Sequence, residues 1–416
     1  DPDGMSGIIN IKLKEKGNMG LNGMVNISAG SALDKFLPKA NGSASVSYST
    51  KKFGFSASID GRYDQRGRRS DNMKLLFGSE PNSLEAWMRS RRDGIEEGYS
   101  EGMKLGFDWY INQKNTLTLS YTGRGQNTIS DHTVINNINL IDSMSYRSLD
   151  QITDGDRSGQ FHTFSLNYQK KFNKPDQELM VDANWNIGRF NRESIQKIDY
   201  LNDMFDTDYA FDKKDVTKAN DDRAVVKINY THPFSKELRL ETGYNLNYSN
   251  RHSDYDYYFN GLSERDTATS YVFHSTEYIH ALYATVGYTH GNWSGQLGLR
   301  GEIVRSTATK TMENKANTSF DKNYNPLFPT LHLSYQITPM QSAQFSYSRR
   351  INRPDMFSMM PNVDLSNPEH IRFGNPDIDP EYTNSLEIGY SHIFSKTTIF
   401  ASAYYRQTNN RISWFN

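Results

Sequence analysis

The 416-residue chain contains no cysteine. That absence removes disulfide scaffolds, thiol nucleophiles, zinc knuckles and iron–sulfur clusters together. Long apolar runs are missing too: only 36% of the residues are hydrophobic, and no stretch approaches the roughly 20 consecutive apolar residues of a membrane-spanning helix. Charge of one sign is also absent. Lys+Arg number 47 against 48 Asp+Glu, for a net charge of −1, so no basic field points to a nucleic-acid partner. Gly-x-Ser-x-Gly elbows, His-Glu-x-x-His helices and Walker loops do not occur, and Gly17 to Gly23 reads as a linker rather than a phosphate cradle. Neither an enzyme nor a cofactor is expected. Asp1 stands at the start without an initiating Met or a signal-peptide pattern, which reads as a mature or internal piece.

What the chain does have is aromatic residues and a period of two. Aromatics make up 13%, with Tyr 26 and Phe 22 far ahead of Trp 5. Phe53, Phe55, Ala57 and Ile59 alternate with Gly54, Ser56, Ser58 and Asp60, giving one apolar and one polar face. Leu179 to Ile187 and Leu238 to Tyr248 repeat the pattern. Such runs predict fifteen strands, at 21–29, 42–50, 53–64, 100–111, 116–127, 160–172, 178–190, 222–234, 237–249, 277–290, 293–304, 327–337, 342–350, 383–394 and 397–408. Each has about the 9 to 11 residues a tilted strand needs to cross a bilayer.

The connections alternate in length. Short turns such as Lys51-Lys52, Ser235-Lys236, Gly291-Asn292 and Ser395-Lys396 alternate with long polar loops at 65–99, 128–159, 191–221, 250–276, 305–326 and 351–382. That asymmetry describes an antiparallel, up-and-down transmembrane β-barrel. Tyr48, Trp109, Tyr168, Tyr230, Tyr288, Tyr335 and Tyr390 sit just before short turns, with Phe172, Phe234 and Phe394 four residues after three of them. One aromatic girdle at headgroup depth follows. A soluble sandwich, solenoid or propeller also alternates, but leaves the loop asymmetry and the position-locked rings without a cause. Because an open sheet edge is not tolerated in hydrocarbon, fifteen strands predict further strands closing the barrel.

On this reading Leu117, Leu119 and Tyr121 face lipid, and Thr116, Thr118 and Ser120 face the lumen. Lys104, Asp108, Arg239, Glu241, Arg300, Glu302 and Glu387 are assigned to the lumen, since a midplane Arg or Lys facing lipid costs about 2 to 4 kcal/mol. His162, His232, His274, His280, His290, His332 and His392 lack the close pairing of a metal site and read as solvated or lumenal. Two loops are candidates for ligand or partner contact. One is acidic and aromatic, with Tyr200, Asp203, Asp206, Asp208 and Tyr209; it lacks the spacing and turn glycine of a calcium loop, so no metal is assigned. The other carries Tyr255, Tyr257 and Tyr258, whose rings could clamp a sugar or partner, or pack as a lid.

Two segments carry a family resemblance. Asp1-Pro2-Asp3-Gly4-Met5-Ser6-Gly7-Ile8-Ile9-Asn10-Ile11 resembles the last strand of the plug domain of TonB-dependent outer-membrane receptors. Arg353-Pro354, Asn367-Pro368, Gly374-Asn375-Pro376-Asp377-Ile378-Asp379-Pro380-Glu381 and Glu387-Ile388-Gly389-Tyr390 resemble a later run of the same family, in its Bacteroidetes-type outer-membrane β-barrel group. The resemblance implies a 22-stranded barrel with a plugged lumen in the outer membrane of a Gram-negative bacterium. Residues 1–19 would be the plug end and linker, and 20–416 part of the barrel with extracellular long loops. It places Gly7 to Lys14 inside the lumen and implies TonB-driven import of a scarce solute. Implied partners are outer-membrane lipids and lipopolysaccharide, with the TonB complex reached through a segment N-terminal to Asp1. The chain departs from the full family pattern in lacking a TonB-contacting box and most of a plug. A non-transporting barrel that scaffolds a surface lipoprotein or larger envelope complex is the alternative, and the proline-fixed Gly374-Asn375-Pro376 run also reads as a rigid loop without a ligand.

Overall fold

A computed structural model describes residues 19–32, 36–77, 84–140, 146–202, 209–259, 263–359, 363–364 and 372–413. The plug-like Gly4, Gly7, Ile8, Ile9, Asn10 and Ile11 lie outside them, as do Asp203, Asp206, Asp208, Asn367 and Pro368. The strands are β1 (Gly20–Ala32), β2 (Leu37–Ser49), β3 (Phe53–Phe77), β4 (Leu84–Asn112), β5 (Asn115–Leu140), β6 (Tyr146–Lys171), β7 (Glu178–Asn202), β8 (Tyr209–Pro233) and β9 (Leu238–Phe259). They continue with β10 (Tyr271–His290), β11 (Trp293–Thr311), β12 (Thr318–Tyr324), β13 (Leu327–Thr338), β14 (Gln341–Asn352), β15 (Val363–Asp364), β16 (Arg372–Phe373), β17 (Glu381–Ile393) and β18 (Thr398–Asn409). One short helix, α1, covers Met356–Met359.

All strands but the β15–β16 pair join one 16-stranded antiparallel sheet, with each main strand beside its predecessor and β12 added against β11. The fifteen strands expected from alternation are the fifteen of this main path. Residues directly opposite one another share a face, so the register can be followed across the wall. Leu21, Tyr48, Phe55, Phe107, Leu119, Leu166, Ala183, Val226, Leu246, His280 and Ile303 form one row through β1 to β11. One residue along, Asp108, Thr118, Asn167, Asp182, Lys227, Asn245, Ala281 and Glu302 form the opposite-facing row. Thr118 Oγ1 donates to Asp108 at 2.6 Å and Asn167 Nδ2 to Asp182 at 2.5 Å, so this face satisfies its own polar groups. The charged side lines a cavity of about 1200 Å³ to which eight consecutive main-path strands from β8 to β18 contribute. It is therefore the lumenal side, and the greasy rows face outward.

The six tyrosines and one tryptophan of the girdle all stand on the outward face at the short-turn end. Trp293 and Tyr335 pack with centroids 4.5 Å apart, and Phe172 meets Tyr230 edge-on at 6.0 Å. A second tier lies toward the long loops, where Tyr248 and Tyr278 pack at 4.9 Å. Tyr288 and Tyr278 stand ten residues apart on β10. At about 3.3 Å per residue and a tilt near 40°, the tiers are about 25 Å apart, the height of the apolar band of an outer-membrane barrel.

Two expectations are corrected. Five of the six long loops, all but 351–382, are mostly strand. β3 and β4 run on to Phe77 and from Leu84, β5 and β6 to Leu140 and from Tyr146, and β7 and β8 to Asn202 and from Tyr209. Above the membrane water contacts both faces, so pairing continues without apolar alternation. Cross-strand ion pairs take over: Arg68 Nη2–Glu96 Oε2 at 2.8 Å, Arg89 Nη2–Asp71 Oδ2 at 2.6 Å and Lys214 Nζ–Glu193 Oε1 at 2.8 Å. The second correction concerns His162 and His280, which stand between the aromatic tiers on the outward face, whereas His232, His274, His290 and His392 lie beyond the tiers. His332 lines the lumenal cavity, but His162, His232, His274, His280, His290 and His392 stand on the outward face with the aromatic rows. There, phenols supply partners for the imidazoles: Tyr121 hydroxyl to His162 Nδ1 at 2.8 Å, Tyr230 to His232 at 3.0 Å, and Tyr244 to His280 at 2.7 Å. An imidazole hydrogen-bonded to a phenol suits the membrane interface, as Tyr itself does.

Leu282, 68% exposed on the outward face of β10, lies between the two tiers. Leu282→Arg is expected to cost about 2 to 4 kcal/mol in folding into lipid vesicles. Thr285→Arg, on the lumenal face of the same strand, is expected to cost far less. Equal losses in a urea-dependent refolding measurement would invert the assignment of faces.

Candidate functional site

The site is built on the lumenal wall between β8 and β18. Lys227, Arg300, Arg350 and Arg406 face the cavity with Glu381 and Glu387, among hydroxyl and amide side chains such as Asn229, Thr330 and Ser348. Gly243 lets one of these groups reach across the sheet. A Cβ there would stand 2.4 Å from both the Ile228 carbonyl and the Tyr283 hydroxyl. With no Cβ, Tyr283 crosses Gly243 and donates to Asn229 Oδ1.

At the upper edge of this wall a buried charge cluster forms. The Glu302 side chain is 1% exposed and lies between two guanidiniums. Arg300 Nε donates to Glu302 Oε1 at 2.7 Å, and Arg353 Nη2 to Glu302 Oε2. Arg353 Nε also donates to the Tyr324 hydroxyl at 3.2 Å. Tyr324 belongs to β12, above the membrane-spanning part, and burial pushes its phenol up to about 12 against the opposing pull of Arg353. The phenol therefore stays protonated at neutral pH.

Arg353 also opens a strap that runs from the end of β14 to the start of β17. Asp355 caps α1, accepting from Ser358 N at 2.9 Å and Ser358 Oγ at 2.5 Å. Asn375 N donates to the Ser358 carbonyl at 2.8 Å, tying the Gly374-Asn375-Pro376 run to the turn after Arg353-Pro354. Asn375 Oδ1 then accepts from Asp377 N at 2.9 Å, the side-chain turn that Asn favours. Pro380 is buried, and Glu381 accepts from Asn352 Nδ2 at 2.7 Å and from Ile412 N at 2.5 Å. Lys322 Nζ reaches Asp379 at 3.4 Å. The structure thus brings together Arg353, Pro354, Gly374, Asn375, Pro376, Pro380 and Glu381 in one anchored segment.

The aromatic hairpin tip is packed on itself. Tyr255 stacks on Tyr271 at 5.0 Å, and Lys214 Nζ lies 6.0 Å over Tyr258. Tyr257 N donates at 2.9 Å to Ser270 Oγ, a fully buried hydroxyl, and burial raises the Tyr257 phenol. Asp266 fixes the turn, accepting from Ala268 N at 2.8 Å and Thr269 Oγ1 at 2.6 Å. That hydroxyl bond, more than the amide bonds, holds the Asp266 carboxyl below its ordinary value. Tyr200 of β7 and Tyr209 of β8 are partners in the backbone register. Among the described residues, no three His, Asp or Glu side chains are arranged to hold a metal ion.

Sequence reasoning assigned Glu302 to the lumen without seeing its role as the anchor of Arg353, 51 positions away. It passed over Asp266, although Asp-Thr-Ala-Thr-Ser is a readable turn signal. Removing one partner of a buried ion pair costs about 3 to 5 kcal/mol. Arg353→Ala is accordingly expected to lower the unfolding free energy in lipid by about 3 kcal/mol and to make 353–381 the first site of limited proteolysis. An unchanged cleavage pattern would show that the strap is held elsewhere.

The sequence model of the outer membrane protein beta-barrel family matches residues 170–415. Comparison with curated proteins finds no match. Among solved structures, the ferric yersiniabactin uptake receptor FyuA of Yersinia pestis is similar over 95% of this chain and 55% of its own, at 11% identity and a TM-score of 0.56. The siderophore receptor PiuA of Acinetobacter baumannii is similar over 94% and 57%, at 11% and 0.56. The ferric-catecholate import receptor Fiu of E. coli is similar over 94% and 58%, at 9% and 0.55. At such identities the likeness is one of fold, and the chain spans a little over half the length of these receptors. The family match covers more than half of the chain, and the strands it covers carry the outward apolar rows, so this is a member of the outer membrane protein beta-barrel family, resident in the bacterial outer membrane.

Proposed function

We propose that the chain is part of the wall of a TonB-dependent importer that admits a scarce solute through a plugged lumen. The observation that carries this reading is the charged lumenal face: eight main-path strands line one cavity of about 1200 Å³, with the two ends of an anchored strap, at Asn352 and Glu381, among its lining residues. A barrel serving only as a membrane anchor has no use for a wide, hydrated, ionised interior. Receptors of the same fold are named for uptake of ferric chelates, which supports import as the activity class and ferric chelates as the first cargo to test. In this proposal Gly4, Gly7, Ile8, Ile9, Asn10 and Ile11 end a plug inside the lumen, and residues 20–416 belong to the wall. β1 and β18 each have one neighbour in the sheet. Further strands of the same barrel would cover these edges, because hydrocarbon offers no partners for backbone groups.

Energy has to come from the inner membrane through TonB, since the outer membrane maintains no gradient of its own. The test is uptake of labelled ferric chelates by cells producing the whole protein, with and without a functional TonB complex. Import that depends on both the protein and TonB is expected. TonB-independent growth on every chelate tried, together with stoichiometric copurification of envelope proteins, would favour the scaffold reading instead.

A further inference from the structure

The seven short turns lie at one end of the sheet, and their charge differs from that of the chain. Residues 50–52, 113–114, 172–177, 234–237, 291–292, 339–340 and 394–397 contain six lysines, Lys51, Lys52, Lys114, Lys174, Lys236 and Lys396, against two carboxylates, Asp176 and Glu237. The rim thus carries +6 − 2 = +4 in a chain of net −1. Glu237 is engaged by His290 Nδ1 at 3.1 Å. Lys114 donates to Asn173 Oδ1 and Lys174 to the Phe234 carbonyl at 3.0 Å, neither of which neutralises a charge. Among the described residues none of the six lysines pairs with a carboxylate. The other end of the wall differs: Arg68, Arg89 and Lys214 are each matched to a carboxylate there.

The same rim bears repeated aromatic–basic–aromatic triplets on its outward face. Tyr230-His232-Phe234 and Tyr390-His392-Phe394 put an imidazole between aromatic rings, with centroids 4.6 Å apart for His232–Phe234 and 3.9 Å for His392–Phe394. In Tyr168-Lys170-Phe172 a lysine takes that place, its Nζ 5.0 Å over the Phe172 ring. Each triplet ends two residues before a turn lysine, Lys174, Lys236 or Lys396. We propose that this rim is a binding surface for anionic glycerophospholipids, with phosphates drawn to the turn lysines and the upper acyl chains laid against the rings. Charge complementarity selects the occupant: an anion is needed to compensate the lysines, and rings facing hydrocarbon at the same level call for a lipid rather than a soluble acidic polymer. With the short turns in the periplasm, this is the inner leaflet of the outer membrane. The proposal does not depend on the cargo or on transport.

Trp109 and Trp293 sit in the girdle as built-in reporters. The whole protein, reconstituted in phosphatidylcholine with a fraction of phosphatidylglycerol, is titrated with either lipid brominated near the headgroup, and tryptophan quenching gives their relative affinity. About five-fold enrichment of phosphatidylglycerol is expected, the factor for about 1 kcal/mol per lysine near an anionic surface. The variant with Lys51, Lys52, Lys236 and Lys396 all changed to Gln should fall to parity, and the four changes to Arg should retain the preference. Equal enrichment in the native and Gln proteins would overturn the proposal. Should the Gln variant fail to insert, the native protein decides alone: its preference must fall steeply between 0.05 and 1 M salt, and a salt-insensitive preference, or none, overturns the proposal equally.

Discussion

Every backbone N–H and C=O inside a bilayer must find its partner within the protein, and the rest of this structure depends on that requirement. It accounts for the unbroken ladders between successive strands, such as the pairing of β6 with β7 from Arg147↔Asn202 to Lys171↔Glu178. Once pairing is fixed, the pleat assigns alternate side chains to opposite solvents. Leu119 then shares a level with Phe107 and Leu166, and Thr118 shares one with Asp108 and Asn167. A shift of one residue in any strand would put the polar row into lipid, so the two contrasted faces are also what hold the register.

The membrane-spanning strands were legible for the same reason. Lipid on one side and water on the other write an alternation into Phe53 to Ile59 or Leu238 to Tyr248 that needs no tertiary knowledge to read. Above the bilayer that pressure ends. Residues 65–99 read as a loop because Arg68, Asp71, Arg89 and Glu96 show no apolar period, yet the β3–β4 ladder continues through them and those side chains pair across it. The histidines were misread by a related rule of thumb. Polar residues were assigned to water or the lumen, whereas His162 and His280 find tyrosine hydroxyls on the outward face. The pairing partner lies 36 or more positions away in the chain, so no local pattern reveals it.

The charge cluster at the mouth follows a different logic from the wall. Glu302 occupies a lumenal position in β11, and burying it would be costly without both Arg300 and Arg353. Arg353 was picked out by resemblance and the prolines around it by their fixed φ, which made the rigid-strap reading accessible. What the sequence could not supply was the three-dimensional coincidence of β11, β12 and the end of β14 at one point, where Glu302, Tyr324 and Arg353 meet.

These two kinds of bonding divide the molecule into parts that can and cannot move. Parting β5 from β6 would strand the backbone partners of a ladder running from Asn115↔Lys170 to Asn139↔Tyr146, and the portion within hydrocarbon has no water to replace them. The wall is therefore a poor candidate for a gate. The strap is held by discrete contacts: the buried pair of Arg353 with Glu302, and Asn375 with Ser358, Lys322 with Asp379 and Asn352 with Glu381. Exchange of those bonds for water costs little beyond the buried Glu302 pair. The result is a wall held by continuous ladders that carries a segment fixed at both ends, by Arg353 to Glu302 and by Glu381 to Asn352.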